Sequence, residues 1–297
     1  MVSITDPNQL TPVELRNGRF YKREDLHRND QYGVNGAKFR ACRHLMAKAV
    51  REGATAVVSA SSVLSPQAAM AGVLAEEFGL DCTLVLGASK PETAPKHVSV
   101  KIAMDAGATL NLDSKVAYNP VIQQAGNKLA KELGAWQLPY GITTPSNAPA
   151  EEIEAFLQVG GKQVMNLPAA VETLVIPFGS GNTAAGVLYG IAKYLDRDDS
   201  NLTRVVLVGV GPDRLLWVQD RLDKVGVAMN GIGIEIVHIP LHGWYADYGD
   251  RMPETADDIV MHPTYEGKVV RFLNSAGMEW WDARDGKTCM WIVGGPI

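Results

Sequence analysis

The run Thr173-Leu-Val-Ile-Pro-Phe178 is apolar and rich in branched side chains, and it stops at Gly179-Ser-Gly-Asn-Thr-Ala-Ala-Gly186. Beyond it Val187, Leu188, Ile191 and Leu195 recur at helical spacing. Strand, small-residue turn and helix in that order commit this part of the chain to an α/β layer. Small residues let backbone N–H groups come close to a ligand, and a helix start adds partial positive charge. Ser180, Asn182 and Thr183 add side-chain donors. A phosphate fits such a turn; a glycine turn packed tightly between strand and helix is the other reading of the same residues.

The same rhythm runs upstream. Ala54–Ser59 reads as a strand, Ala60–Pro66 as a loop of small residues and Gln67–Phe78 as an alanine-rich helix closed by Gly79. Strand Cys82–Leu86, helix 93–106, strand Ala108–Leu112 and helix 120–133 follow. Downstream come a helix over Glu151–Met165, strand Arg204–Gly209, helix Arg214–Val225, strand Ile234–Ile239, a helix reaching Asn274 and strand Cys289–Val293. Strands alternating with helices predict parallel sheets. The stretch 136–150, punctuated by proline and glycine, reads as a crossing between two lobes.

Several function classes are disfavoured. Net charge is −5 with no basic run, so charge does not indicate nucleic-acid binding. Cys42, Cys82 and Cys289 are isolated and no metal-binding pattern is present. With no apolar run near transmembrane length and no signal-peptide pattern, the chain reads as soluble, cytoplasmic and without a membrane partner.

After the polar loop 27–37 a helix begins near Lys38, with Phe39, Cys42, Met46 and Val50 on one stripe. Its dipole disfavours a cation in the first turn. Lys38 is therefore either a solvated surface lysine or one whose charge is suppressed or consumed.

Taken in order, four stretches resemble one family. Lys22-Arg-Glu-Asp-Leu26 followed by Gly36-Ala-Lys-Phe-Arg40 resembles the "KRED…GGNKxR" segment of the aminocyclopropane-carboxylate deaminase and D-cysteine desulfhydrase family. These are pyridoxal-phosphate enzymes of fold type II, with tryptophan-synthase-β architecture. The serine-rich loop 59–67 resembles the family's substrate loop, and 179–186 its phosphate cup. Pro263-Thr-Tyr-Glu-Gly-Lys268 resembles the "DPVYEGK" segment of the deaminase branch.

The resemblance implies two parallel-sheet, three-layer α/β domains. Residues 1–47 with 149–297 would form the large cofactor-binding domain, and 48–148 the small domain inserted in it, with the cofactor in the cleft and a homodimeric assembly. Pyridoxal 5'-phosphate would be held by Lys38 as a Schiff base and by Gly179, Ser180, Gly181, Asn182 and Thr183 at its phosphate. Glu266 would face the pyridine nitrogen and keep it protonated, so that the ring takes up electrons as a quinonoid. Lys38 would then move the proton, with Tyr265 near the substrate. Ser62, Ser65 and Gln67 of the substrate loop, and Tyr248, would contact the substrate. Glu266 as an ordinary helix-start glutamate and Tyr265 as a packing tyrosine are the plainer readings of those two residues.

The substrate half departs from the pattern. The family's loop asparagine is replaced by Val63 or Leu64, and Ala37 stands where an asparagine precedes the lysine. Asn35 is the nearby candidate to compensate. Segments that enclose a small amino acid are short around 140–150 and 248–262. The expected function is thus a lyase or deaminase-like enzyme acting on an amino acid through an external aldimine. The alternatives are an enzyme whose amino acid is attached to a larger carrier such as a modified nucleobase, and a non-catalytic cofactor-binding protein.

Overall fold

The computed structural model describes residues 6, 8–87, 91–111, 119–247, 249–276 and 284–297. In chain order the elements are β1 (Val13–Arg16), β2 (Arg19–Arg23), α1 (Ala37–Arg51), β3 (Ala56–Ser62), α2 (Gln67–Phe78) and β4 (Asp81–Gly87). Next come α3 (Val98–Asp105), β5 (Thr109–Asn111), α4 (Asn119–Leu133), β6 (Trp136–Leu138), α5 (Ala150–Gly161), β7 (Thr173–Phe178) and α6 (Asn182–Lys193). The last are β8 (Arg204–Gly209), α7 (Leu215–Lys224), β9 (Glu235–Pro240), β10 (Thr255–Ala256), β11 (Ile259–Val260), α8 (Glu266–Leu273) and β12 (Thr288–Ile292). They fall into two compact units. One comprises Met1–Arg28, Asn35–Lys38 and Ala148–Pro296; the other comprises Asn29–Val34, Phe39–Asn147 and Ile297.

In the first unit six strands lie in the order β1-β2-β12-β7-β8-β9. From β2 to β9 every pairing is parallel, and β1 closes the edge as an antiparallel hairpin with β2. Val205–Val208 of β8 are buried throughout, because helices cover both faces of a parallel sheet. One face packs Leu174, Ile176, Leu207 and Trp291 against side chains of α5, α6 and α7. The other packs Val175, Val206, Val208 and Met290 against Val269, Val270 and Leu273 of α8. α5 and α6 approach very closely, since a Cβ on Gly190 would sit 2.1 Å from the Gly161 carbonyl oxygen. The second unit holds a four-stranded parallel sheet in the order β5-β4-β3-β6. α4 lies against β3 where a Cβ on Gly126 would meet Ala60 at 2.6 Å.

The element boundaries differ from the sequence expectation where tertiary pairing overrides local composition. β3 runs three residues past Ser59, because Ala60, Ser61 and Ser62 continue the ladder to Val85, Leu86 and Gly87. The helix expected over 93–106 is a 3-10 turn, Pro91–Lys96, followed by α3; Pro95 lacks the N–H a continuous helix needs. The helix expected to reach Met165 ends at Gly161 and tightens into a 3-10 turn over Lys162–Asn166. The crossing 136–150 opens with β6. The hairpin of β10 and β11 has no periodic signal and turns through Asp257 and Asp258, both at positive φ.

Candidate active site

The turn after β7 is shaped by one residue. Gly181 has φ +87°, and a Cβ there would meet the Trp217 ring of α7 at 3.0 Å, so position 181 needs glycine on both counts. α6 starts at the next residue with no side-chain cap, and its first N–H groups have no acceptor within the helix. Ser180 is exposed, and Asn182 and Thr183 are half-buried. The ring of Tyr265 lies over the same turn, 3.7 Å from where a Cβ on Gly179 would be.

Two further side chains hang on the chain just after β12. Gly36 has φ +98°, and its α-carbon approaches Val293 so closely that a Cβ would sit 2.4 Å from that residue's carbonyl oxygen. The Ala37 N–H donates to this same oxygen at 2.8 Å. The start of α1 is thereby clamped to Val293, and half-buried Lys38 is the next residue. From the other direction the Val293 and Gly294 N–H groups donate to Oε1 of Glu266 at 2.8 and 3.1 Å. Lys38 and Glu266 are therefore hung on one short backbone stretch.

Glu266 is fully buried, and its second oxygen, Oε2, has no hydrogen-bond partner. Burial pushes the carboxyl up to about 8, against the opposing pull of the backbone N–H donors and with a further push from the Asp25 charge. Asn35 is spoken for: its Oδ1 accepts from the Gly295 N–H at 2.7 Å and its Nδ2 donates to the Pro296 carbonyl. Tyr265 precedes the first turn of α8, with the His262 ring 4.9 Å from its own. The Nδ1 atom of His262 accepts the Thr264 N–H at 3.2 Å, and burial, with the nearby Arg251 charge, holds this imidazole down at about 4.

Lys38, Glu266, Tyr265 and residues 179–183 thus share the first unit. Ser62, Ser65 and Gln67 belong to the second and share one turn there. Ser62 Oγ accepts the Leu64 N–H and Ser65 Oγ the Gln67 N–H, as turn-forming serines do. Gln67 is buried and its amide is engaged at both ends: Oε1 accepts from the Gly141 N–H at 2.8 Å, and Nε2 donates toward Ser59, Ala60 and Pro139. Leu64 at the tip is 76% exposed. Tyr248 lies outside the described residues. Sequence reasoning passed over Val293, Trp217 and His262. The first acts through its backbone and the second through a long-range contact, neither of which leaves a local pattern. The third stood in plain view, a histidine where the "DPVYEGK" segment carries aspartate.

No family model matches the chain. It is 30% identical to the O-seryl-dTMP PLP-dependent decarboxylase of Salmonella phage ViI, over 93% of this chain and 77% of that protein. It is 26% identical to a protein of Pyrococcus horikoshii assigned as a 1-aminocyclopropane-1-carboxylate deaminase, over 84% of this chain and 76% of that one. Among solved structures, an ACC deaminase homologue superposes with a TM-score of 0.69 at 20% identity, covering 98% of this chain and 91% of that one. Processed threonine deaminase isoform 2 of Solanum lycopersicum superposes with a TM-score of 0.63 at 16% identity, covering 97% and 79%. Those two likenesses speak to the fold, and the identity to the phage enzyme, sustained along both chains, speaks to descent: the chain belongs to the pyridoxal-phosphate-dependent enzyme family of fold type II.

Proposed function

We propose that this chain is a pyridoxal-phosphate-dependent lyase that removes the carboxyl group of an amino acid carried on a nucleotide. The observation that carries the chemistry is Glu266, wholly buried, with one oxygen held by two backbone N–H groups and the other left open. A buried carboxyl oxygen with no partner needs a polar group with which to share a proton, and the ring nitrogen of pyridoxal phosphate is one. The turn 179–183 offers uncapped helix N–H groups and hydroxyls suited to a phosphate. Lys38, at the clamped start of α1, supplies the amine that would hold the group covalently. Similarity to the phage decarboxylase supports the nucleotide carrier, and the apolar Val63-Leu64 tip supports a substrate other than aminocyclopropane-carboxylate.

When bound, pyridoxal phosphate supplies an electron sink for the pair released at the substrate's α-carbon. The chain does the rest. The cup residues fix the phosphate end. Glu266 would share a proton between its open oxygen and the ring nitrogen. Lys38 would hold the group until a substrate amine takes its place, and its own amine would then return a proton to the substrate's α-carbon. The carboxyl leaves as carbon dioxide and that one proton takes its place, so the product is an amine on the same carrier. Tyr265, with its ring over Gly179, closes one side against water. A homodimer, a cytoplasmic location and an inserted small domain over 48–148 belong to this reading through the family resemblance. No described helix is long and apolar enough to cross a membrane.

The test begins with the visible absorbance of the protein loaded with pyridoxal phosphate, which should vanish in Lys38→Ala. Free serine, aminocyclopropane-carboxylate and a seryl nucleotide are then supplied in turn. Carbon dioxide released from the seryl nucleotide, with an equal amount of amine, is the expected result. Ammonia release would assign deamination instead. Release of neither from the seryl nucleotide overturns the proposal.

A further inference from the structure

The loop that leads into β10 is strapped along the first turn of α8. Lys268 Nζ donates to the Asp247 carbonyl at 2.5 Å, and the Met252 N–H donates to the Pro263 carbonyl at 2.8 Å. The approach is close enough that a Cβ on Gly267 would sit 1.9 Å from the Met252 oxygen. Arg251 precedes Met252 and His262 precedes Pro263, so the two side chains leave from neighbouring positions across that hydrogen bond.

Arg251 is exposed and makes no ion pair among the described residues. The acidic neighbours in its loop are occupied elsewhere. Asp250 Oδ2 accepts the Asp247 N–H, and the charges of both act on Lys268. The Arg251 charge is felt by His262 instead. His262 has Nδ1 engaged with the Thr264 N–H, which leaves its ring proton on Nε2. At neutral pH it is an uncharged donor, where the family segment has a carboxylate that would repel an anion. Its ring faces Tyr265, whose ring in turn lies over Gly179. Moving outward from the cup, one therefore meets Tyr265, then His262, then Arg251.

We infer that Arg251 and His262 form the subsite for the phosphate of the nucleotide that carries the amino acid. This rests on the function proposed above and adds to it which end of the carrier is read, and by which residues. An arginine fork and a neutral N–H donor are matched to a phosphate monoester.

The experiment uses the protein loaded with pyridoxal phosphate and measures binding of dTMP and of thymidine by titration calorimetry, beside steady-state turnover of a seryl nucleotide. Wild type should bind dTMP at least tenfold more tightly than thymidine. Arg251→Ala should lose about tenfold in dTMP affinity with thymidine binding within twofold, and its turnover defect should fall on KM rather than kcat. Arg251→Lys should recover part of the loss. His262→Asp should weaken dTMP binding further, while His262→Asn, which keeps a neutral donor, should weaken it less. Turnover of the seryl nucleotide with equal affinity for dTMP and thymidine, or unchanged dTMP binding in Arg251→Ala, overturns the subsite and leaves the proposed function standing. Absence of any turnover of the seryl nucleotide overturns both.

Discussion

Glu266 gives the protein a pH dependence that can be read without any reaction. Its carboxyl titrates at an ordinary 4.5 when unfolded and at about 8 when buried, so between those values the folded chain holds a proton that the unfolded chain has lost. The folded state is then favoured below 4.5 and loses that advantage as pH rises through 8, by a few kcal/mol in all. Stripped of pyridoxal phosphate, wild type and Glu266→Gln should melt together near pH 5, and the variant should melt several degrees higher at pH 8. Equal melting temperatures across that range in scanning fluorimetry would contradict it. Gly36 is the second sensitive position. Alanine there meets both a left-handed backbone and the Val293 carbonyl, so Gly36→Ala should cost about 2 kcal/mol or more in urea and should abolish the pyridoxal absorbance by displacing Lys38. Lys22, by contrast, carries part of the family resemblance for a structural reason. It is buried with Nζ donating to the Thr11 carbonyl and to Asn166 Oδ1, over the Trp291 ring, and so fastens β2 to its surroundings.

Elements show why some of the site was legible and some was not. β7, its glycine turn and α6 are contiguous in sequence, so the strand, the turn at 179–181 and the helix start could be read from composition and spacing alone. Lys38 was suspect because it opens a helix, yet the clamp that holds it comes from Val293, far along the chain, and nothing local to either residue announces the pairing. The serine-rich loop was legible only in part: Ser62 and Ser65 accept the loop's own N–H groups, the Gln67 amide is engaged within its unit, and β3 absorbs part of the expected loop. The small hairpin of β10 and β11 was invisible, being two residues per strand. Its Asp257 accepts hydrogen bonds from Tyr21 at 2.5 Å and Asn17 at 2.8 Å and faces Arg19 and Arg284. Burial pushes its carboxyl up, but Tyr21, Asn17 and the two arginines outweigh that and hold it below the usual carboxylate range. Asp257→Ala should therefore destabilise the protein by about 3 kcal/mol at pH 7, because it removes the carboxylate that accepts from buried Tyr21 and faces buried Arg19. The gap between variant and wild type should narrow as pH falls below 4, where wild type loses the same contribution. Asp257→Asn, which tolerates the left-handed turn, should cost less; urea midpoints at both pH values check all three statements.

At the scale of the whole molecule, the residues proposed to hold the cofactor come from three separated parts of one unit: 35–38, 179–185, and 265–266 with 293–295. Hydrogen exchange on adding pyridoxal phosphate should accordingly slow in all three together, and a response confined to 179–185 would mean that phosphate alone is being held. Their distribution follows from strand order. β12 follows every other described strand in the sequence, yet it lies between β2, more than two hundred positions earlier, and β7, more than a hundred positions earlier, and pairs with both. During translation, then, β2 and β7 wait with an open gap between them until residues 288–292 have left the ribosome, and both Lys38 and Glu266 wait for Val293 to follow. A nascent chain stalled before that point has the glycine turn but neither anchor for the lysine nor backbone donors for the glutamate. On the proposed site the cofactor could not be gripped piecemeal during synthesis: the lysine and the glutamate gain their anchors together, once residue 293 has emerged.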